Sequence, residues 1–306
     1  MIDIYVETDI TACRRLWQHF IPPEKLTDIW DVRACFYRRF ARELFFVVAK
    51  KDGHPVGFIP LSYIDENDHY GYFPGEVWNG KTWLEQNRVI FSDQDILDQI
   101  LNWLSENKKK YYIRYLIKDQ YLHKNSVDID EMGYFFYPKE VDFSMDNYYA
   151  LFSKKSAKKI RRDVDNIYAK DLVIRTDNVD DFDLMVQMNI DCFGGDSYFS
   201  DQRFCESFRD LKEYLNKKGW LRITTVLVDG KPAAVDMGCV YKGVYTLLAG
   251  GTHSEYPGIA KVINLYHMQE ACKYKYKEVD FLCGDFSWKK RFHLSPRPLY
   301  MIKNNL

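Results

Sequence analysis

Residues 44–63, LFFVVAKKDGHPVGFIPLSY, and residues 222–241, RITTVLVDGKPAAVDMGCVY, follow one plan: an apolar run, an Asp-Gly pair, and a second apolar run. Asp-Gly tolerates the positive φ that a tight hairpin needs, so each stretch is predicted to be two antiparallel strands turning at Asp52-Gly53 and at Asp229-Gly230. Helical spacing of apolar residues precedes each hairpin: LTDIWDVRACFYRRFA (26–41) before the first, DFDLMVQMNIDCF (181–193) and RFCESFRDLKEYLNKKG (203–219) before the second. After each hairpin come a further strand, a Pro-Gly (74–75, then 257–258), an amphipathic helix and a closing strand. The helices are DQDILDQILNWLSEN, with Ser92 as the expected N-cap, and IAKVINLYHMQEACKY; the closing strands are YYIRYLIK and KEVDFLCG. The same order thus occurs twice, about 180 residues apart, which is a duplication and not a short-period solenoid.

Length agrees with this, since 306 residues exceed one ordinary domain. The expected division is 1–143 and 144–306, both α/β, each with a mixed, mostly antiparallel sheet flanked by helices. Net charge is −1 from 43 basic and 44 acidic residues, so the whole molecule exerts no field that draws it to nucleic acid or anionic lipid. Any such partner must be held by a local patch. Seven cysteines without a C-x-x-C pair read as small buried hydrophobes in a reducing compartment. The acidic N-terminal stretch and the lack of a long apolar run predict a cytoplasmic location without a membrane span.

The local patch is FSKKSAKKIRRDVDNI (152–167), where Ser144 and Ser153 are expected to cap consecutive helices. Ala157, Ile160, Val164 and Ile167 form one apolar stripe, and Lys154, Lys155, Lys158, Lys159, Arg161 and Arg162 crowd the other faces. Six cations in nine residues repel one another unless an anion relieves them, so the helix is expected to grip tRNA phosphates or an anionic acceptor such as a nucleotide sugar. The plainer alternative is a solvated helix facing acids such as Asp163 and Asp165.

Pro257-Gly258 opens a helix directly after the strand VYTLLAGG (244–251), and a helix N-terminus offers backbone N–H groups to phosphate. Gly258 permits close backbone approach and Ala260 keeps the next turn uncrowded. The seven histidines show neither H-E-x-x-H nor a Cys/His cluster, so no metal is expected. The chain also lacks G-x-S-x-G, a P-loop and G-x-G-x-x-G, which argues against hydrolase-elbow, NTPase and dinucleotide chemistry.

On these residues the chain resembles the GNAT superfamily of acyltransferases, in particular the CelD-like branch with two tandem GNAT domains, and more distantly the Fem-type peptidoglycan aminoacyltransferases. The resemblance rests on FSKKSAKKIRRDVDNI, on VDGKPAA (228–234), on EYPGIAK (255–261), and on VDFLCGDFSWKKRF (279–292), which is similar to the branch's D-F-x-x-G-x-x-x-Y-K segment. It implies two tandem GNAT-like domains, the N-terminal one degenerate. It also implies a cofactor slot between two splayed strands, Tyr245 to Gly250 (Leu248 included) and Val279 to Cys283, with the donor's pyrophosphate at Gly258, Ile259, Ala260 and Lys261. Glu255 stands where the family has Gln or Arg, and Trp288 where it has Tyr; the first is repulsive to a pyrophosphate, so acetyl-CoA or another acyl-CoA and aminoacyl-tRNA both stay open as donors.

Acyl transfer to an amine needs a base and a cation or N–H for the oxyanion. Asp285 or Asp236 is assigned as base, Lys289 as the cation, and His253 in the loop GGTHSEY as an alternative base. The function expected is N-acyl transfer from acyl-CoA to a polar, possibly anionic acceptor, nucleotide sugar or peptide. The alternatives are Fem-type transfer from aminoacyl-tRNA and a catalytically silent GNAT-fold binding module.

Overall fold

The computed structural model describes residues 2–118, 127–284 and 287–304, and the chain divides into two compact units: residues 1–132, 206–211 and 298–306, and residues 133–205 and 212–297. Both Asp-Gly pairs turn hairpins as expected. Asp52 and Gly53 have φ of 51° and 80°, and Asp229 and Gly230 have φ of 50° and 73°, the paired positive values of a two-residue hairpin loop.

In the first unit, strands Ile2–Glu7, Leu44–Lys51, His54–Ile64 and His69–Tyr72 are antiparallel neighbours in that order. Helix Gln94–Glu106 then leads into Tyr111–Leu116, which pairs parallel to His69–Tyr72 through Tyr70 to Tyr111 and Gly71 to Tyr112. Helices Ile10–Phe20 and Trp30–Phe40 supply Trp17 and Trp30 to a core that includes Phe46, Phe58 and Phe73. Trp30 stacks on Phe73 at 4.9 Å between ring centres, and Trp17 meets it tilted at 5.7 Å, contacts worth about 0.5–1.5 kcal/mol each beyond area burial. The segment expected to be helical from residue 26 holds a short 3-10 turn, Leu26–Asp28, and the α-helix starts only at Trp30.

The second unit repeats the plan. Strands Leu172–Thr176, Leu221–Val228, Lys231–Tyr241 and Val244–Thr252 run antiparallel, helix Ile259–Lys273 crosses, and Glu278–Cys283 returns parallel to Val244–Thr252. Antiparallel pairing to Phe135 and Phe136 covers the outer side of Glu278–Cys283. Helix Asp181–Phe193 has the bounds its apolar spacing predicts, and it comes so near the sheet that a Cβ on Gly251 would lie 2.5 Å from the Met185 carbonyl oxygen. Ser144 caps Met145–Ala150 by accepting from the Asn147 N–H, and Ser153 caps the basic helix Lys154–Tyr168 by accepting from the Ser156 N–H, both as expected. Val164 and Ile167 of the basic helix pack on the cluster of Ile259, Val262 and Ile263.

The cap of Gln94–Glu106 differs from expectation. Asp93, in extended conformation, accepts from the Ile96 N–H, while Ser92 donates to the Asp93 carboxylate at 3.3 Å. Asp93→Ala is therefore expected to lower unfolding stability by about 0.5–2 kcal/mol, and Ser92→Ala by less than about 0.5 kcal/mol. Chemical denaturation of both variants checks this; equal losses would return the cap to Ser92.

Candidate functional site

The parallel ladder of the second unit is short. Val244, Tyr245 and Thr246 pair with Glu278, Val279 and Asp280, and there the pairing stops, although one strand runs on to Thr252 and the other to Cys283. Both strands are irregular where they part. Met237 faces Ala249 and Gly238 faces Leu247, so Leu248 is the extra residue of a bulge. On the other strand Leu282 takes φ +58°, its N–H bonded to the Asp280 carboxylate at 2.9 Å.

The end of this second strand is collected by one side chain. Lys289, 3% exposed, donates from Nζ to the carbonyl oxygens of Phe281 (2.9 Å), Leu282 (3.0 Å) and Cys283 (2.7 Å). The lysine assigned from sequence as the cation for phosphate or oxyanion thus holds backbone at this strand end. Asp285 lies outside the described residues.

The helix after Pro257 begins at Ile259 with Gly258 as its N-cap at φ +89°, a left-handed conformation that favours glycine. In front of this first turn lies a cavity of about 620 Å³, lined by Ala260, Lys261 and Asn264 of that helix, by Ser156, Lys159, Ile160 and Asp163 of the basic helix, and by the 288–293 segment. Leu151, Phe152, Ile160, Trp288 and Phe292 give it apolar walls, and Lys159, Lys261 and Arg291 give it cations. Lys261 bonds Asp163 at 2.7 Å, and that bond holds the Asp163 carboxyl below the usual carboxylate range. His293 meets Phe152 edge-on at 4.4 Å.

Among the sequence candidates, the structure brings Ala260, Lys261 and Lys159 to this cavity. Gly258 and Ile259 adjoin it in sequence, and the Ile259 side chain is buried. Asp236, Tyr245 and Gly250 meet elsewhere. The Asp236 carboxylate lies against the Gly250 backbone, where a Cβ would be 2.2 Å from its Oδ1, and it pairs with His267 Nε2 at 2.9 Å. The Tyr245 hydroxyl is 3.4 Å from the same nitrogen, and burial raises the Tyr245 pKa well above its ordinary value. Asp236, Tyr245 and His267 are all buried, as is Leu248. His253 stands on an exposed loop 3.9 Å from Glu255, whose side chain is 77% exposed. Arg161 of the basic helix pairs with Asp146 at 2.8 Å, while all six of the helix's cations are exposed.

Asn264, Arg291, His293 and His267 escaped the sequence reading. Asn264 and His267 had a signal: both are polar residues on the buried face of IAKVINLYHMQ. Arg291 and His293 had none, because only the turn after Lys289 brings them to the cavity.

Residues 154–290 match the family model described as acetyltransferase (GNAT) domain, so the second unit carries a GNAT domain. No curated protein sequence matches the chain. Among solved structures, it is similar to a conserved protein of unknown function from Bacteroides thetaiotaomicron VPI-5482 at 12% identity and TM-score 0.61, over 99% of this chain and 100% of that one. FemX is similar at 9% identity and TM-score 0.59, over 99% and 98% of the two chains. A tandem GNAT protein from the clavulanic acid biosynthesis pathway is similar at 10% identity and TM-score 0.55, over 100% and 99%. These likenesses establish a mixed α/β fold of tandem GNAT type. Among the described residues no helix is long and apolar enough to cross a membrane.

Lys289→Met keeps a long unbranched side chain, one heavy atom shorter, and removes its donors. It is expected to cost about 1–3 kcal/mol of unfolding stability through the orphaned carbonyls. Denaturant titration reads this directly, and unchanged stability would refute the backbone-holding role.

Proposed function

We propose that the second unit transfers an acyl group from a coenzyme A thioester to an amine on a polar acceptor, with the donor seated in the 620 Å³ cavity at the start of helix Ile259–Lys273. The observation that carries this reading is the coincidence of three features: apolar walls, cations from Lys159, Lys261 and Arg291, and a helix N-terminus with Gly258 at φ +89°. Apolar walls suit a pantetheine or acyl chain, and cations beside helix N–H groups suit a pyrophosphate. Glu255 is a weaker obstacle than its sequence position suggests, since its exposed carboxylate lies beside His253 and outside the cavity lining.

In the reaction, the amine nitrogen attacks the thioester carbonyl, the carbon–sulfur bond breaks, and the thiolate takes up the proton the amine loses. Asp285, four residues before Lys289, is assigned as the base that relays this proton. Lys289 acts as a positioning residue, fixing the strand end beside which the reacting carbonyl lies. Asp236 is joined to His267 in the interior and serves as the reserve candidate for the base. A peptide or a nucleotide sugar fits the acceptor class.

A second reading has its own observation. The basic helix exposes Lys154, Lys155, Lys158, Lys159, Arg161 and Arg162 within nine residues, a surface suited to the phosphates of an aminoacyl-tRNA donor. Titration calorimetry separates the two. Under the first reading acetyl-CoA binds, and Lys159→Glu with Arg291→Glu weakens it at least tenfold, while Lys154→Glu with Lys155→Glu leaves it within twofold. No heat at millimolar acetyl-CoA, together with aminoacyl-tRNA binding that Lys154→Glu and Lys155→Glu abolish, would transfer the assignment to tRNA. Absence of both would leave a catalytically silent binding module.

A further inference from the structure

The second unit holds another cavity, of about 550 Å³, which is not the proposed donor seat. It draws on the same helix Ile259–Lys273, but on different residues: Tyr266, His267 and Glu270 with Lys273, where the donor cavity takes Ala260, Lys261 and Asn264. The nearest lining residues of the two cavities, Asn264 and Tyr266, are two positions apart and so lie about 200° apart around the helix, on opposite faces, which keeps the two spaces separate. Its volume lies within the usual range for small-ligand pockets.

The lining is polar and balanced in charge. Arg222 and Lys273 supply two cations, Asp177 and Glu270 two carboxylates. Tyr266, Tyr274 and Tyr276 form aromatic walls, Tyr274 and Tyr276 stacked at 5.9 Å and 22°. The buried Tyr245 and His267 belong to the lining, and His267 is fixed by its 2.9 Å contact to the buried Asp236 carboxylate behind it. Burial raises the pKa values of Tyr245, Tyr266 and Tyr276 above the ordinary tyrosine value. Desolvating a carboxylate and an imidazole beneath a cavity is costly unless they are bonded, and here they are bonded to each other at its base.

A ligand of one charge would meet its like on one wall. Arg222, whose Nη1 donates to the backbone carbonyls of Leu221 at 2.6 Å and Gly219 at 3.3 Å, is a positive charge suited to a carboxylate, and Glu270 with aromatic faces beside it is suited to an ammonium, by charge and by cation–π attraction. We propose that this cavity binds a small zwitterion with an aromatic side chain, of the α-amino acid class, at a site distinct from the acyl-donor seat. Glu270 is held at 3.1 Å by Lys273, an exposed residue, so the ligand's ammonium displaces a cation from that carboxylate.

The test uses three probes of one skeleton and the full chain: L-phenylalanine with both charges, phenethylamine with the ammonium alone, and 3-phenylpropionate with the carboxylate alone. Titration calorimetry is expected to show L-phenylalanine binding at least tenfold more tightly than either relative. Arg222→Gln should weaken L-phenylalanine and 3-phenylpropionate at least fivefold and leave phenethylamine unchanged. Lys273→Gln, at an exposed position where folding is not at risk, frees Glu270 and should tighten phenethylamine severalfold. Equal binding of the three probes, or no binding of L-phenylalanine at 10 mM, would overturn the proposal. Loss of all binding in Arg222→Gln with a native unfolding midpoint, or an unchanged phenethylamine affinity in Lys273→Gln, would do the same. The acetyl-CoA titration reads the other cavity, so the two assignments stand or fall separately.

Discussion

Two parallel strands that part within a sheet leave backbone carbonyls facing no ladder partner. Each orphaned acceptor in the interior costs about 1–3 kcal/mol, so the separation persists only if something supplies donors. In the second unit Lys289 supplies them, its ammonium taking the carbonyls of Phe281, Leu282 and Cys283. The open end of the strand pair, the turn after it and the residues that turn carries to the donor cavity, Arg291 and His293, all depend on this one cluster of bonds. The sequence assigns this lysine, in the run WKKR, as a cation for phosphate or oxyanion. Burial also makes it an organiser of backbone.

The architecture was legible because it is written in local chemistry. Asp-Gly pairs demand positive φ, apolar alternation demands a sheet face, and serines at 144 and 153 offer oxygen to a helix start; each operates over a few residues and each appears in the structure. The start of the site was legible for the same reason, since Gly258 and the following helix are contiguous. What was not legible depends on residues far apart in sequence. Lys289 spends its donors on carbonyls six to eight positions back, Asp236 meets His267 across 31 positions, and Lys261 meets Asp163 across 98. Periodicity carries no information about such pairs. The Ser92 expectation failed for a subtler reason: two adjacent residues offered oxygens, and the one in extended conformation at the right offset, Asp93, took the cap.

One helix serves two spaces of different character. Toward its N-terminus Ile259–Lys273 borders a cavity of apolar walls and cations, and toward its C-terminus a polar, tyrosine-rich one. Between them the helix buries Val262, Ile263, Leu265 and Met268. The buried face therefore fixes the separation of the two cavities, and a change in the helix's seating would alter both. Gly250 contributes to that seating, because it leaves room for the Asp236 carboxylate that reaches His267.

The basic helix carries a consequence for how this protein responds to its solvent. Six cations within nine residues store mutual repulsion, which ordinary surface ion pairs elsewhere on the chain do not. Dissolved ions screen such charges over about 8 Å at physiological ionic strength. Added salt weakens attraction between opposite charges and relieves repulsion between like ones, so in this region it acts as a stabiliser. The helix behaves as a compressed electrostatic spring, held down by the Lys261–Asp163 bond and by the packing of Val164 and Ile167, and eased by whatever anion comes to rest against it.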